Sequence, residues 1–216
     1  MVGNINLHLL NASGLLDSLS GLIEAEFTNG MDKILEKLPI SDVDVCIYDS
    51  RRGVIPEIGI GGSAHNSHLV FIKINPEFPD IEKSVAKRLK RTLAHELHHC
   101  MRWRNSGYEK ILLEELVTEG LACHFELEID GGEPEQYCKA LSDEDLARFI
   151  KKAKSLFQSV EFSHGDWFFG SKEKGIPRWT GYSLGFKLVG DYLKMNPDKK
   201  ASKLYATKAG EFSSIL

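Results

Sequence analysis

Hydrophobic residues in the first part of the chain recur at the spacing of an amphipathic helix. From Ser13 to Leu38 they return at nearly every third or fourth position, with one break at residues 28–30. This repeat places them on one face of a helix, which Pro39 cannot continue. The pattern predicts a helical N-terminal layer over residues 1–40 whose apolar face covers the core. A surface for a partner is the alternative interpretation.

Hydrophobic and polar residues alternate in the segment that follows. The alternation runs from Val43 to Tyr48, and two further apolar stretches run from Val54 to Gly62 and from His68 to Asn75. A repeat of two residues is typical of a strand with one buried face. The sequence predicts three neighbouring antiparallel strands.

Three glycines lie near the end of the second predicted strand, at Gly59, Gly61 and Gly62. An edge strand that binds a peptide backbone by strand addition needs exposed N–H and C=O groups and little side-chain bulk. Gly61 and Gly62 meet that need and are the predicted substrate-binding positions. Glycines are equally typical of a β-bulge or a loose loop, so both interpretations stay open.

Helical patterns dominate the rest of the chain. They begin at Pro79, Tyr108, Ser142 and Thr180, and the third and fourth carry candidate N-cap hydroxyls. The predicted fold class is α+β, with a small antiparallel-containing sheet and mainly helical N- and C-terminal parts. We predict one domain over 1–216, with the sheet and the central helices in 41–130 and a helical C-terminal part in 131–216.

The composition argues against some classes of function but does not identify the activity. The chain has 216 residues, of which 42% are hydrophobic and 27% charged, and its net charge is −4. These values are typical of a soluble globular protein and give no reason to expect a nucleic-acid partner. No basic leader, cleavage signal or membrane-length apolar run is present, and the four cysteines form no CxxC pair. We therefore expect a cytoplasmic protein with reduced thiols and no membrane contact.

The helix after Pro79 contains His95-Glu96-Leu97-His98-His99. On a helix, His95 and His99 are one turn apart, about 6 Å along the axis, so both imidazoles can reach one metal ion. Glu96 lies beside that face and can take a proton from a metal-bound water without being a ligand. Pairing His95 with His98 instead leaves no such base. The alternative interpretation is a helix whose histidines are merely polar surface groups.

A catalytic zinc site needs three protein ligands and one open position. The third ligand is not six residues beyond His99, as it is in metzincins, because Arg102 and Asn105 replace the required Gly and His. The following helix offers glutamates 114, 115 and 119. Glu119 is the predicted ligand, and Gly120 beside it removes a side chain where two helices must approach closely around the ion. Glu115 is the second candidate ligand, or an acceptor for the ring N–H of a ligand histidine.

The string from Leu116 to Ala122, placed after this motif, resembles the bacterial YjaZ-type predicted zinc-dependent proteases of the gluzincin group. Residues 59–76, 167–170 and 177–186 are similar to further parts of that family, so the resemblance covers most of residues 40–195. It implies a zincin-like fold, a bound Zn²⁺ and peptide hydrolysis. One departure is Cys123, which stands where many gluzincins carry a carboxylate, and it leaves open which group orients His95 or His99.

Peptide hydrolysis at zinc also needs a donor for the developing oxyanion. Tyr182, in the first turn of the last long helix, is the first candidate, and His164 is the second. A buried Tyr182 ring with a satisfied hydroxyl is the structural alternative.

Together these features predict a zinc metallopeptidase that acts on a peptide or protein substrate. Two other classes remain open, a non-catalytic zinc-binding or stress-related interaction protein and a zinc hydrolase of a non-peptide amide.

Overall fold

A computed structural model of the protein describes residues 4–107 and 110–213. The chain divides into two compact units, Met1–Arg104 and Asn105–Leu216. The α+β class is confirmed, because the first unit contains a four-stranded mixed sheet and the second is helical. The single zincin-like domain remains a prediction.

The first unit contains the sheet and two long helices, one between its first two strands and one after its last strand. Its elements are β1 (Ile5–Leu10), α1 (Ser20–Leu35), β2 (Val43–Asp49), β3 (Ile60–Asn66), β4 (Leu69–Ile74) and α2 (Ile81–Ser106), whose last two residues belong to the second unit. The strand order is β1-β2-β4-β3. One face of the sheet is buried, because alternate residues of β2 and β4 point into the core: Val43, Val45, Ile47, Val70, Ile72 and Ile74.

The topology differs from the prediction in three ways. The helical layer predicted over 1–40 begins with a strand, β1, in which apolar and polar residues alternate. The second predicted strand begins at Ile60, not Val54, because the chain turns between Ile55 and Ile60. In the sheet that the structure describes, β2 is parallel to both β1 and β4, and β3 is antiparallel to β4. β3 lies between β2 and β4 along the chain and runs opposite to β4. β4 therefore has the same direction as β2.

The second unit is built on two long helices that pack together. Its helices are α3 (Leu112–Asp130), α4 (Asp143–Lys154), α5 (Thr180–Met195) and the short α6 (Gly210–Ser213), and a π-helical turn covers Gly165–Phe169. The predicted start of the α3 helix, Tyr108, lies outside the described residues. The close approach predicted at Gly120 was one around the ion, and that remains a prediction. Within this unit the close neighbour of Gly120 is α5, because a Cβ on Gly120 would lie 2.2 Å from the carbonyl oxygen of Gly185.

The two predicted N-caps have different outcomes. Ser142 caps α4, since its hydroxyl accepts a hydrogen bond from the backbone N–H of Asp145 at 3.2 Å. Thr180 is instead the first residue of α5, and its hydroxyl donates to the carbonyl of Pro177. Among the residues that the structure describes, no helix is both long and apolar enough to span a membrane.

Candidate metal centre

Helix α2 carries the two candidate histidine ligands on one face, as their spacing predicts. The ring centroids of His95 and His99 are 4.6 Å apart, and the ring planes meet at 83°. Each ring offers a nitrogen within 4.8 Å of one on the other. His95 and Glu96 are buried, and His98 is fully buried. The chain therefore presents two convergent imidazoles with a buried carboxyl group next to one of them, which is a donor set that zinc accepts.

Strand β3 lies along helix α2 through a series of contacts. Below the motif, the hydroxyl of Ser84 donates to the carbonyl of Ile58. Above it, the Cys100 thiol donates to the carbonyl of Asn66 at 3.4 Å, and Arg104 Nε donates to that of Ser67 at 2.9 Å. These contacts hold β3 and the residues that flank it along α2, from about three turns before the motif to about one turn beyond it.

Gly62 lies directly beside Glu96 in this arrangement. A Cβ at position 62 would lie 2.5 Å from Glu96 Oε1 and 2.8 Å from Cγ2 of Thr92. These distances are shorter than van der Waals contact, so only glycine fits here without moving the carboxyl group. The close approach is a physical reason for a glycine in the middle of a strand.

The two glycines of the predicted substrate strand have different environments. β3 is an edge strand, and its residues alternate between facing β4 and facing outward. Ile60 faces outward, because its carbonyl accepts from the N–H of Ile55, so Gly62 and Ala64 face outward too. Gly61 bonds toward β4, and a Cβ on it would lie 2.3 Å from the carbonyl oxygen of Gly53. Of the two glycines, Gly62 is the one that offers backbone groups at the sheet edge, and it is exposed.

Helix α3 carries acidic and thiol side chains at intervals of three and four residues, which places them on one face of the helix. They are Glu115, Glu119, Cys123 and Glu126. Glu119 is half-buried. Burial is the largest influence that raises the pKa of Cys123, followed by its hydrogen bond to Cys138 and the nearby carboxylates. The Cys123 thiol therefore stays protonated at neutral pH in the absence of a cation.

Glu115 and His164, the two reserve candidates of the sequence analysis, are brought together. His164 Nδ1 and Glu115 Oε2 are 2.8 Å apart, and the imidazole stacks on Phe168 with centroids at 4.6 Å. The carboxyl group fixes one nitrogen of the ring, and the stacking fixes its plane. Glu114, in contrast, accepts hydrogen bonds from the backbone N–H groups of Lys110 and Ile111 at the start of α3. These bonds account for the presence of its carboxyl group without a metal ion.

Tyr182 lies in the first turn of α5 among other aromatic rings. Its centroid is 5.2 Å from that of Tyr137 and 5.0 Å from that of Phe168. The ring is half-buried, so it has a packing role whether or not its hydroxyl meets a substrate. Nearby, the Arg178 guanidinium lies 3.9 Å from the centre of the Trp179 ring.

One pair of residues was missed by reasoning from the sequence. Glu126 is almost fully buried on the acidic face of α3, and the Tyr137 hydroxyl donates to its carboxylate, 2.9 Å from Oε1 and 3.2 Å from Oε2. The available signal was the position of Glu126, seven residues after Glu119 in a segment that is otherwise largely apolar.

Comparison with known proteins identifies the family. The family model described as "Predicted Zn-dependent protease (DUF2268)" matches residues 23–214, which include the histidine motif, α3 and the aromatic segments. The chain belongs to this family, as its resemblance to the YjaZ-type proteases indicated. No curated protein and no solved structure gives a significant match.

Proposed function

We propose that this protein is a zinc-dependent metallopeptidase with His95, His99 and Glu119 as its metal ligands. The observation that carries the proposal is the arrangement in the first unit, where a histidine pair and a buried Glu96 lie beside an exposed glycine edge. Membership in a family described as a predicted zinc-dependent protease supports the metal and the reaction class. Glu119 is proposed from its spacing, with additional support from the contacts that account for Glu114 and Glu115.

Zinc bound by these residues would lower the pKa of a water molecule toward about 7 and polarise the substrate carbonyl. Glu96 then takes the proton of the attacking water and transfers it to the leaving amine. Gly62 leaves room for the Glu96 carboxyl group, and substitution by any larger residue would displace it. The outward backbone groups of Gly62 and Ala64 bind the substrate main chain as an added strand.

Tyr182 is the proposed donor to the developing oxyanion, and His164 is the alternative. The hydrogen bond from His164 Nδ1 to the Glu115 carboxylate favours His164 as a positioned imidazole, whereas the aromatic neighbours of Tyr182 favour a fixed ring. Tyr182→Phe and His164→Ala distinguish them. Removal of the true donor lowers kcat by about 10²- to 10³-fold, and removal of the other residue does not.

The test is cleavage of a mixed peptide library by the zinc-loaded protein and by Glu96→Gln, read by mass spectrometry. Wild type is expected to cleave, whereas Glu96→Gln retains zinc and loses about 10²- to 10⁴-fold of the rate. Undiminished cleavage by the variant contradicts the role of Glu96. Zinc binding without any cleavage would favour a non-catalytic zinc-binding protein. Glu96-dependent hydrolysis of a non-peptide amide, without cleavage of peptides, would favour a zinc hydrolase that acts on such amides.

A further inference from the structure

The sheet of the first unit has two edge strands, β1 and β3, and their edges are protected differently. On β3 the carbonyl of Ile60 already accepts from the N–H of Ile55. The register of β3 also shifts between Ala64 and Asn66, and such an irregularity hinders pairing with another chain. Strand β1 is regular, because all of its residues pair with β2 without a shift. The two edges therefore differ, and β1 is the longer regular one.

Every second residue of β1 has backbone groups without a hydrogen-bond partner among the residues that the structure describes. The N–H of Val43 in β2 donates to the carbonyl of Asn4 at 3.2 Å. Backbone groups alternate in direction along a strand, so the even-numbered residues of β1 bond to β2. Ile5, Leu7 and Leu9 consequently direct their N–H and C=O groups away from the sheet. They form an open template for one further strand.

The composition of β1 does nothing to block such pairing. Its sequence, INLHLL, contains no lysine, acidic residue, proline or glycine, which are the residues that commonly protect an edge. The side chains of Ile5, Leu7 and Leu9 lie on the core side, in register with buried residues of β2. They are themselves only half-buried. A further strand would cover these side chains as well as satisfy the backbone.

A second copy of β1 meets both requirements in one antiparallel register. When Leu7 lies opposite Leu7 of the second copy, Ile5 lies opposite Leu9, and a two-fold axis passes through the central pair. The three outward residues then form hydrogen-bonded pairs, and each pair brings two apolar side chains together on the core side. On the other face of the sheet, Asn6 lies opposite His8, so polar side chains meet polar ones. The strand is self-complementary in both its hydrogen bonds and its side chains.

We propose that the protein forms a two-fold symmetric dimer through β1, in which two four-stranded sheets join into one continuous sheet. The interface uses the same patch of both copies, so it closes at two subunits. A second copy is favoured over an unrelated peptide because every copy supplies an uncharged strand with the matching length and apolar spacing. The dimer is independent of the proposed zinc chemistry.

The test is hydrogen exchange of the β1 amides, read residue by residue by mass spectrometry with fragmentation, at about 10 µM and about 500 µM protein. Sedimentation at the same concentrations gives the mass. In the dimer the amides of Ile5, Leu7 and Leu9 are bonded across the axis, so they should exchange at least about 10-fold more slowly than in the monomer. The amides of Asn6 and His8 donate to β2 in both states and are the internal control. Fast exchange at the three outward amides at both concentrations overturns the proposal.

Leu7→Pro is the matched variant. It removes the outward N–H at the axis and leaves the bonds to β2 in place, because an edge strand tolerates proline where its N–H points away from the sheet. Leu7→Pro should sediment as a monomer at both concentrations, whereas Leu7→Ala keeps the N–H and should still form a dimer. A folded Leu7→Pro dimer overturns the proposal, as does a wild type that is monomeric, or larger than a dimer, at the higher concentration. If Leu7→Pro does not fold, the exchange pattern of the wild type decides alone.

Discussion

In the first unit the candidate site residues are held by close backbone packing, whereas in the second they are held by hydrogen bonds between side chains. Gly62 lies so near Glu96 that a single methyl group would displace it. On α3, Glu115 binds His164 and Glu126 binds Tyr137. The first arrangement depends on shape and the second on polar partners. Substitutions should therefore have different consequences in the two units.

The largest effect is expected from loss of a metal ligand, and it should be the same in both units. His99→Ala in the first unit and Glu119→Ala in the second each leave two protein ligands, so bound zinc and peptide cleavage should both be lost. The measurement is zinc per chain by atomic emission after dialysis. His65→Ala, on the exposed side of β3, is the control and should keep its zinc. Stoichiometric zinc in either ligand variant would reject that ligand.

The next effect tests the shape argument with two adjacent glycines. Gly62→Ala forces Glu96 aside, so kcat should fall by about 10²-fold while zinc is retained. Gly61→Ala instead presses on the backbone of Gly53 and Val54, so it should destabilise the fold by about 1–3 kcal/mol. Steady-state kinetics and urea unfolding, run on both variants, give the two readouts. Equal kinetic losses in both would show that the contact with Glu96 has no special importance.

A third prediction concerns the stability of the second unit, where close packing also matters at residues outside the hydrogen-bonded pairs. Gly185 lies at the α3–α5 crossing, and a Cβ there would lie 2.2 Å from the carbonyl oxygen of Leu116. Gly185→Ala should therefore cost about 1–3 kcal/mol in the free energy of unfolding. Gly21→Ala in α1 is the matched control, since no atom lies within 4 Å of its added Cβ. It should be neutral or stabilise by up to about 1 kcal/mol, because alanine favours helix.

The same contrast explains which parts of the molecule were predictable from the sequence. The side chains of His95 and His99 share a face because helical spacing is a local property, and the α2 helix follows from a long stretch without Gly or Pro. The Ser142 cap is local in the same sense. These predictions needed no knowledge of distant residues.

The features that escaped prediction depend on contacts between distant segments. Gly62 meets Glu96 across 34 positions of sequence, and His164 meets Glu115 across 49. The parallel pairing of β2 with β4 depends in the same way on how β3 is inserted between them along the chain. Strand β1 is different, because its alternation was present in the sequence and was hidden by the stronger helical repeat that follows it.

The smallest expected effect is a dependence of stability on pH in the second unit. Burial lowers the pKa of His124, whose Nε2 donates to the carbonyl of Phe186 at 2.9 Å while its ring stacks on that residue at 4.2 Å. Below an unfolded pKa of about 6.5 the unfolded chain binds a proton that the folded chain does not, so acidification removes stability until the lower folded pKa is reached. His124→Gln keeps a hydrogen-bond donor and cannot titrate. Urea unfolding at pH 7.5 and pH 5.5 should show a smaller loss of stability for the variant than for wild type. Equal losses would mean that His124 is protonated as readily in the folded chain as in the unfolded one.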